Sequence, residues 1–355
     1  MPRFRIEDLR VLGRQVLQAA GATDEEAGLV VGHAIASMLS GEENHGLQPG
    51  LQYIQAIKDG TLKPGSPITV IKETPTTLMV DGNFNFGHYV SHHVMLRLIE
   101  KARVNFVAAG SIRYQCHVGR LADYTTMAAK EGMIALMMTD GAWGTKFVAP
   151  WGGREPRLGV NPFSMALPSD LEGTVCFDMT AGSVSMGKVA RAREQGERIP
   201  EGWLIDKAGK PTTDPNAFFE GGSVLPMGGV VGHKGYAITF FIEALADILS
   251  GMEWEEDATR PWPIVDGAFI AVFNVEAFRS LIDFKRDMKS FAEHVKSSAP
   301  AEGSPGVFYP GERSYLNSVK RLQEGLTIPD WAWQRVVALT KEYEREQYLP
   351  NPIEP

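Results

Sequence analysis

Two histidines stand where an imidazole could exchange protons with a bound molecule. His45 follows the polar run Glu42-Glu43-Asn44 and precedes Gly46, at a predicted helix–loop junction. His117 precedes Val118-Gly119, at the expected start of a helix. Imidazole titrates near neutral pH, so at the edge of a cleft it can act as acid or base. The other histidines read differently. His33 and His294 fall inside predicted helices, and His88, His92 and His93 are adjacent or one turn apart. Partner-bonded or solvated side chains are expected there. No HExxH motif and no Cys/His cluster has metal-ligand spacing, so no metal is expected.

Glycine-flanked segments offer further candidates. Gly182, four residues on to Gly187-Lys188, matches most of a phosphate-binding loop, and would make the chain an NTP hydrolase. Val189 stands where a hydroxyl should hold Mg²⁺, so the segment reads as a glycine-turned strand–helix junction, whose amides and Lys188 could still face an anion. Lys234 lies between Gly232 and Gly235, just ahead of an apolar helix, where it could approach a phosphate. Residues 150–162 are rich in Gly and Pro and read as a shaped binding loop. A dinucleotide site of the usual kind would need G-x-G-x-x-G after a strand. No two glycines in this chain are separated by a single residue, so a Rossmann turn is excluded.

The elements that must position these residues follow from periodicity. Ile6, Leu9, Leu12, Val16 and Leu17 predict a helix that Gly21 stops. Thr23 with Glu26 is a capping-box pattern opening a second helix to about Ser40, and a third runs over 51–58. Strands are expected at 68–71, 77–80, 106–109, 133–139, 163–168, 175–179 and 269–273. Helices are expected at 90–104, 119–131, 183–195, 235–249, 277–297, 315–324 and 331–348. The class is α/β in the mixed α+β sense, with helices gathered at both ends. We expect residues 1–75 to form a helical domain completed by 314–355, around a central α/β region over 76–313 that carries cofactor and substrate.

Composition narrows the partners. With 355 residues and 44% hydrophobic side chains, the chain can bury a sizeable core. Its formal charge is −8, and its most basic stretch, Lys188 to Arg198, also carries Glu194 and Glu197. Neither nucleic acid nor an anionic membrane suits such a surface. Two cysteines, Cys116 and Cys176, make no disulfide scaffold. No leader pattern and no run of 18 apolar residues is visible, so a reducing, cytoplasmic setting is expected.

Taken in order, the segments resemble the malate/L-lactate dehydrogenase family of the second, non-Rossmann type. They are His45-Gly46 with Tyr53-Ile54, His117-Val118-Gly119, Val148-Ala149-Pro150-Trp151-Gly152-Gly153, and Gly159 to Pro162. They continue with Phe177-Asp178-Met179-Thr180, Gly187-Lys188, Ile199 to Trp203, Pro211 to Pro215, Lys234-Gly235-Tyr236 and Tyr309-Pro310-Gly311-Glu312. The resemblance implies hydride transfer between NAD or NADP and a small 2-oxo or 2-hydroxy acid, in a homodimer or larger homo-oligomer. Some members of that family instead reduce cyclic 2-imino acids. By the same resemblance His117 is the acid/base, and His45 orients the substrate or relays a proton. Asp178, Met179 and Thr180 line the cofactor, with Asp178 also able to orient a histidine. Lys234 and Pro310, Gly311, Glu312 and Arg313 are nucleotide contacts.

The chain departs from the family pattern at Asn44, where Ser is usual, and at Cys116, where Asn is common. Pro49 stands where many members carry an Arg for the substrate carboxylate, which removes a bidentate clamp. Arg120, three residues after His117, is expected to replace it by sharing a helical face with His117. The resulting His-x-Gly-Arg is similar to the hydroxycarboxylate dehydrogenase branch. Asn44 and Arg120 are therefore the expected substrate-binding residues.

Overall fold

The computed structural model describes residues 1–141, 146–252 and 265–353. Its centre is a seven-stranded sheet. The spatial order is Thr69–Glu73, Thr77–Asp81, Val107–Cys116, Val265–Asn274, Met133–Asp140, Pro162–Leu167 and Val175–Thr180. Thr77–Asp81 runs parallel to Val107–Cys116, with the helix Gly87–Asn105 as crossover. The other neighbours are antiparallel. A doubly wound nucleotide fold needs consecutive parallel strands, so this mixed sheet is non-Rossmann, in line with the missing glycines.

The Gly87–Asn105 and Ala122–Lys130 helices cover this sheet. Val94, Leu98, Tyr124 and Ala128 pack against Ile112, Met137 and Ile270 in one buried cluster. The strand expected at 106–109 extends to Cys116. Its second half carries Ser111, Arg113 and Gln115, which break an apolar pattern. Tertiary partners reach two of them: Arg113 Nε donates to Asp81 Oδ2 at 2.9 Å, and the buried Gln115 accepts from Ser91 Oγ at 2.8 Å while its Nε2 has no partner among the described residues.

The helical ends form a second core. Thr23 and Glu26 close a reciprocal capping box on Asp24–Ser40, a feature worth about 1 kcal/mol. Leu9, Leu12 and Val16 of Ile6–Ala19 pack with Val30 and Ile35, and Leu326, Ile328 and Ala332 from the other end join them. The short strands Arg3–Phe4 and Leu326–Thr327 pair antiparallel. Tyr53, Phe86 and Cys116 belong to this same cluster, which therefore reaches the sheet just before His117.

Three expected boundaries shift in ways that matter for the site. The helix after His117 begins at Ala122, not Gly119. Lys234 lies in the first turn of the helix His233–Glu243 rather than in a loop before it. That helix continues as a π-turn over Ala244–Ile248, where Leu249 N–H reaches Ala244 O at 3.0 Å. Among the described residues no helix is long and apolar enough to cross a membrane.

Candidate active site

His117 sits on the extended link between the strand Val107–Cys116 and the helix Ala122–Lys130. Two glycines make room for that link. A Cβ at Gly87 would stand 1.9 Å from Cys116 O, so the crossover helix can start against this backbone only without a side chain. Gly119 holds φ at +72°, and a Cβ there would stand 2.7 Å from His88 Nε2.

The two predicted histidines meet. His45 comes from the short 3-10 turn Glu43–His45, and its ring stacks on that of His117 with centroids 5.7 Å apart and planes 12° off parallel. Tyr53, on the helix Leu47–Lys58, places its Oη 2.6 Å from His117 Nδ1. Gly119 N–H donates to the same Nδ1 at 3.3 Å. His88 closes the pocket from behind, its ring 6.3 Å from His117 and 5.4 Å from Tyr53. The expectation of a bonded or solvated His88 is corrected: it is buried and its Nδ1 has no hydrogen-bond partner among the described residues. The residue is one wall of the site. His33 touches His88 edge-on, and its Nδ1 lies 3.2 Å from Asp123 Oδ2 without hydrogen-bond alignment.

Burial empties these imidazoles of charge. His117 is lowered to about 3, by desolvation first and by His45 second. His88 is pushed well below its usual value by burial and then by His33, and His45 by burial and then by Arg120. The protein's own groups therefore favour neutral rings here at pH 7.

Arg120 is close to the histidines, but not for the expected reason. Residues 117–121 are not helical, so no helical face is shared. Its guanidinium is instead pinned by tertiary contacts. Nε and Nη2 donate to Asp123 Oδ1, and Nη1 donates to Ser40 Oγ at 2.7 Å. These bonds use three of five N–H groups and leave one on each terminal nitrogen. The side chains of Asn44 and Pro49 lie outside the described residues.

Three of the expected cofactor residues, Asp178, Met179 and Thr180, end the strand Val175–Thr180. Asp178 accepts Ala122 N–H at 2.7 Å, so it holds the start of the Ala122–Lys130 helix and does not orient a histidine among the described residues. Burial raises its carboxyl to about 6, against the pull of that N–H and of Arg120. Met179 is 42% exposed, and Thr180 Oγ1 donates to Gly182 O. Pro310 O accepts Cys176 N–H at 3.1 Å, and Gly311 packs on Thr174 O, so this loop is docked beside Asp178. Glu312 is buried, ion-paired with Lys296, and accepts Tyr309 N–H at 3.2 Å. Arg313 and Lys234 are exposed. The helix bearing Lys234 packs through Ile238 and Ile242 on Phe163 and Ala181, next to Thr180.

The phosphate-loop look-alike resolves as packing. Val189 is fully buried with Val148, Leu158 and Val224, and Gly182 faces Val148 and Val224. Lys188 is exposed on the first turn of Met186–Gln195.

Sequence reasoning did not single out Tyr53, His88, Asp123 or Asp266 as site residues. Asp266 Oδ2 accepts Val118 N–H at 3.2 Å, one residue from His117. Tyr53 carried a signal, since its position is part of the family motif. The others come from elements whose approach no local pattern announces.

Comparison with known proteins agrees along the chain. The family described as malate/L-lactate dehydrogenase matches residues 4–337. The malate/(S)-sulfolactate dehydrogenase of Methanothermus fervidus is 35% identical over 91% of this chain and 92% of its own. Hydroxycarboxylate dehydrogenase B of Escherichia coli O157:H7 is 29% identical over 94% of this chain and 92% of its own. The solved sulfolactate dehydrogenase of Methanocaldococcus jannaschii superposes with a TM-score of 0.88 at 31% identity, covering 99% of this chain and 100% of that one. Sequence, fold and extent agree: the chain belongs to the malate/L-lactate dehydrogenase family.

Proposed function

We propose that this chain is an NAD(P)-dependent oxidoreductase acting at C2 of a small 2-oxo or 2-hydroxy acid, with His117 as the acid/base. The observation that carries the reading is His117 itself: its Nδ1 is held from inside by Tyr53 and Gly119, while the ring is only partly buried. Nε2 is thereby the nitrogen left for a substrate oxygen. A nicotinamide cofactor supplies the hydride in reduction and takes it in oxidation. The residues present fit such a cofactor. Asp178, Met179 and Thr180 adjoin the docked Pro310-Gly311 loop, with the Glu312 carboxylate anchoring it through Lys296. Lys234 and Arg313 are exposed and make no ion pair among the described residues, which suits phosphate groups.

With the protein's own groups around it, His117 is neutral near pH 7. A 2-oxo acid brings a carboxylate with it, and a negative charge within about 4–6 Å favours the protonated ring. Binding the anion thus recruits the proton that the nascent alkoxide takes. Arg120, through its two remaining N–H groups, grips that carboxylate, with Asn44 and His45 as further substrate contacts. Two free cysteines agree with a reducing, cytoplasmic setting. Exposed Phe240, Phe241, Ile248 and Leu249 form an apolar stripe that supports a homodimer; a single-chain mass by sedimentation would refute that.

The test is absorbance at 340 nm with NADH or NADPH and a panel from pyruvate and oxaloacetate to phenylpyruvate, with one cyclic imino acid. Oxidation of either cofactor by an oxo acid is expected, and turnover with the imine alone would replace this reading. Arg120→Ala is expected to raise the apparent KM about ten- to a hundredfold, the scale of a charge-assisted bond, with kcat less affected. An unchanged KM for every accepted acid removes Arg120 as the clamp.

A further inference from the structure

The Tyr53–His117 contact settles a chemical question beyond identifying an acid/base. A neutral imidazole carries its proton on one nitrogen and offers a lone pair on the other. Gly119 N–H can only donate, and it points at Nδ1 from 3.3 Å. Nδ1 is therefore the lone-pair nitrogen, and Tyr53 Oη, 2.6 Å away, donates to it as well. Tyr53 is 3% exposed, and its ring is locked among Phe86, His88 and the apolar residues of the helical ends. Its hydroxyl has little freedom to look elsewhere.

We propose that Tyr53 is a positioning residue that fixes His117 as the Nε2–H tautomer and serves it in both charge states. In the neutral ring the hydroxyl donates to Nδ1, so Nε2–H faces outward and can donate to the carbonyl oxygen of an oxo acid. When the ring takes a second proton, that proton sits on Nδ1, and the Tyr53 oxygen turns to accept it. Reduction then moves the Nε2 proton to the alkoxide oxygen, leaving Nδ1–H. Return to rest takes one proton from solvent at Nε2 and releases one from Nδ1, which restores Nε2–H with no net change at Tyr53. Burial keeps the phenol protonated, which makes it a donor at rest.

The groups facing His117 from every side are the stacked His45, His88 behind it, Arg120 beyond Gly119, and Asp266, bonded to the neighbouring Val118 N–H. None of these donates to Nδ1. Removing the Tyr53 hydroxyl therefore takes away the one side-chain donor to the Nδ1 lone pair, a bond that adds to burial in favouring the neutral ring, and shifts the balance toward the protonated form.

The inference rests on His117 being the acid/base, and its test separates the two. The enzyme is labelled with ¹⁵N-histidine, and His117→Gln assigns the His117 signals. Two-bond ¹H–¹⁵N correlations should show an unprotonated Nδ1 in the native protein. In Tyr53→Phe the His117 signals should move toward a tautomer mixture, and ring protonation should shift upward by about one pH unit. The pH limb of kcat should move with it, and kcat should fall about tenfold with KM changed less than twofold. Replacing Tyr53 with a fluorotyrosine, a stronger donor of similar shape, should shift the limb the other way. If both variants leave tautomer and pH limb unchanged and only lower Tm, Tyr53 is a packing residue and the proposal is overturned. If the tautomer responds but His117→Gln stays active, the positioning of the ring stands and the acid/base reading falls.

Discussion

Two buried polar regions lie on either side of Asp266 and resolve burial in opposite ways. Around His117 the buried groups are mostly imidazoles and phenols, which become neutral by losing or keeping a proton, with the Arg120 guanidinium answered by Asp123 beside them. Around Asp140 they are carboxyls. Asp140, Glu243 and Asp247 bring oxygens within 4.8 Å of one another, with Lys146 Nζ 2.8 Å from Asp140 and 3.5 Å from Glu243. Lys146 supplies the positive charge there. One ammonium cannot balance three carboxylates in a low-dielectric site, so burial and mutual repulsion raise Glu243 and, further, Asp247. Among the described residues neither Asp247 oxygen has a donor, and a proton of its own would link it to Asp140. The π-turn at Ala244–Ile248 carries Asp247 into this position. Both regions are driven toward neutrality. The histidine pocket reaches it with a free edge for substrate, whereas the carboxyl cluster reaches it by holding protons around an internal cation.

Asp266 joins the two. It is raised to about 8 by burial first and by Asp140 second, while Val118 N–H, beside His117, pulls it down. Its state is the natural place to break the comparison, after the two regions themselves.

The largest expected effect is at His117. His117→Gln should lower kcat by about 10²–10⁴-fold, the usual range for a general acid/base, with Tm changed little. A loss below threefold would place the proton chemistry elsewhere. Next is Lys146→Met. Removing the cation leaves buried carboxyls without a partner and should cost about 3 kcal/mol of stability by denaturant unfolding, more at alkaline pH. An unchanged midpoint would show that the carboxyls are already neutral without it.

The smallest effect sharpens the link. The Asp266 carboxyl is raised above its ordinary value of 3.8 to about 8, so the folded state holds a proton that the unfolded state has lost. Stability then falls as pH rises through that window, by at most about 1.4 kcal/mol per unit. His117 acts oppositely: lowered to about 3, it makes stability fall as pH drops below 6.5. Between pH 6.5 and 8 only the Asp266 slope of this pair remains. Asp266→Asn should flatten Tm against pH over that range; a slope equal to that of the native protein would detach Asp266 from it.

Local signals in the chain fixed much of this. The 3.6-residue spacing of Leu9, Leu12 and Val16, the Thr23–Glu26 box and the absence of G-x-G spacing determine helices and exclude the Rossmann turn, because each depends on neighbours in sequence. Motif order picked out His45 and His117. The pairing of those rings, Tyr53 at Nδ1, the unpaired His88 and Arg120 pinned by Asp123 and Ser40 were decided only by tertiary structure. So was the length of Val107–Cys116, whose Arg113 and Gln115 are tolerated because Asp81 and Ser91 answer them. The physical reason is common to all. Propensity and periodicity act over a few residues, whereas proton affinity and hydrogen-bond direction depend on which groups arrive from distant elements and how much water they displace.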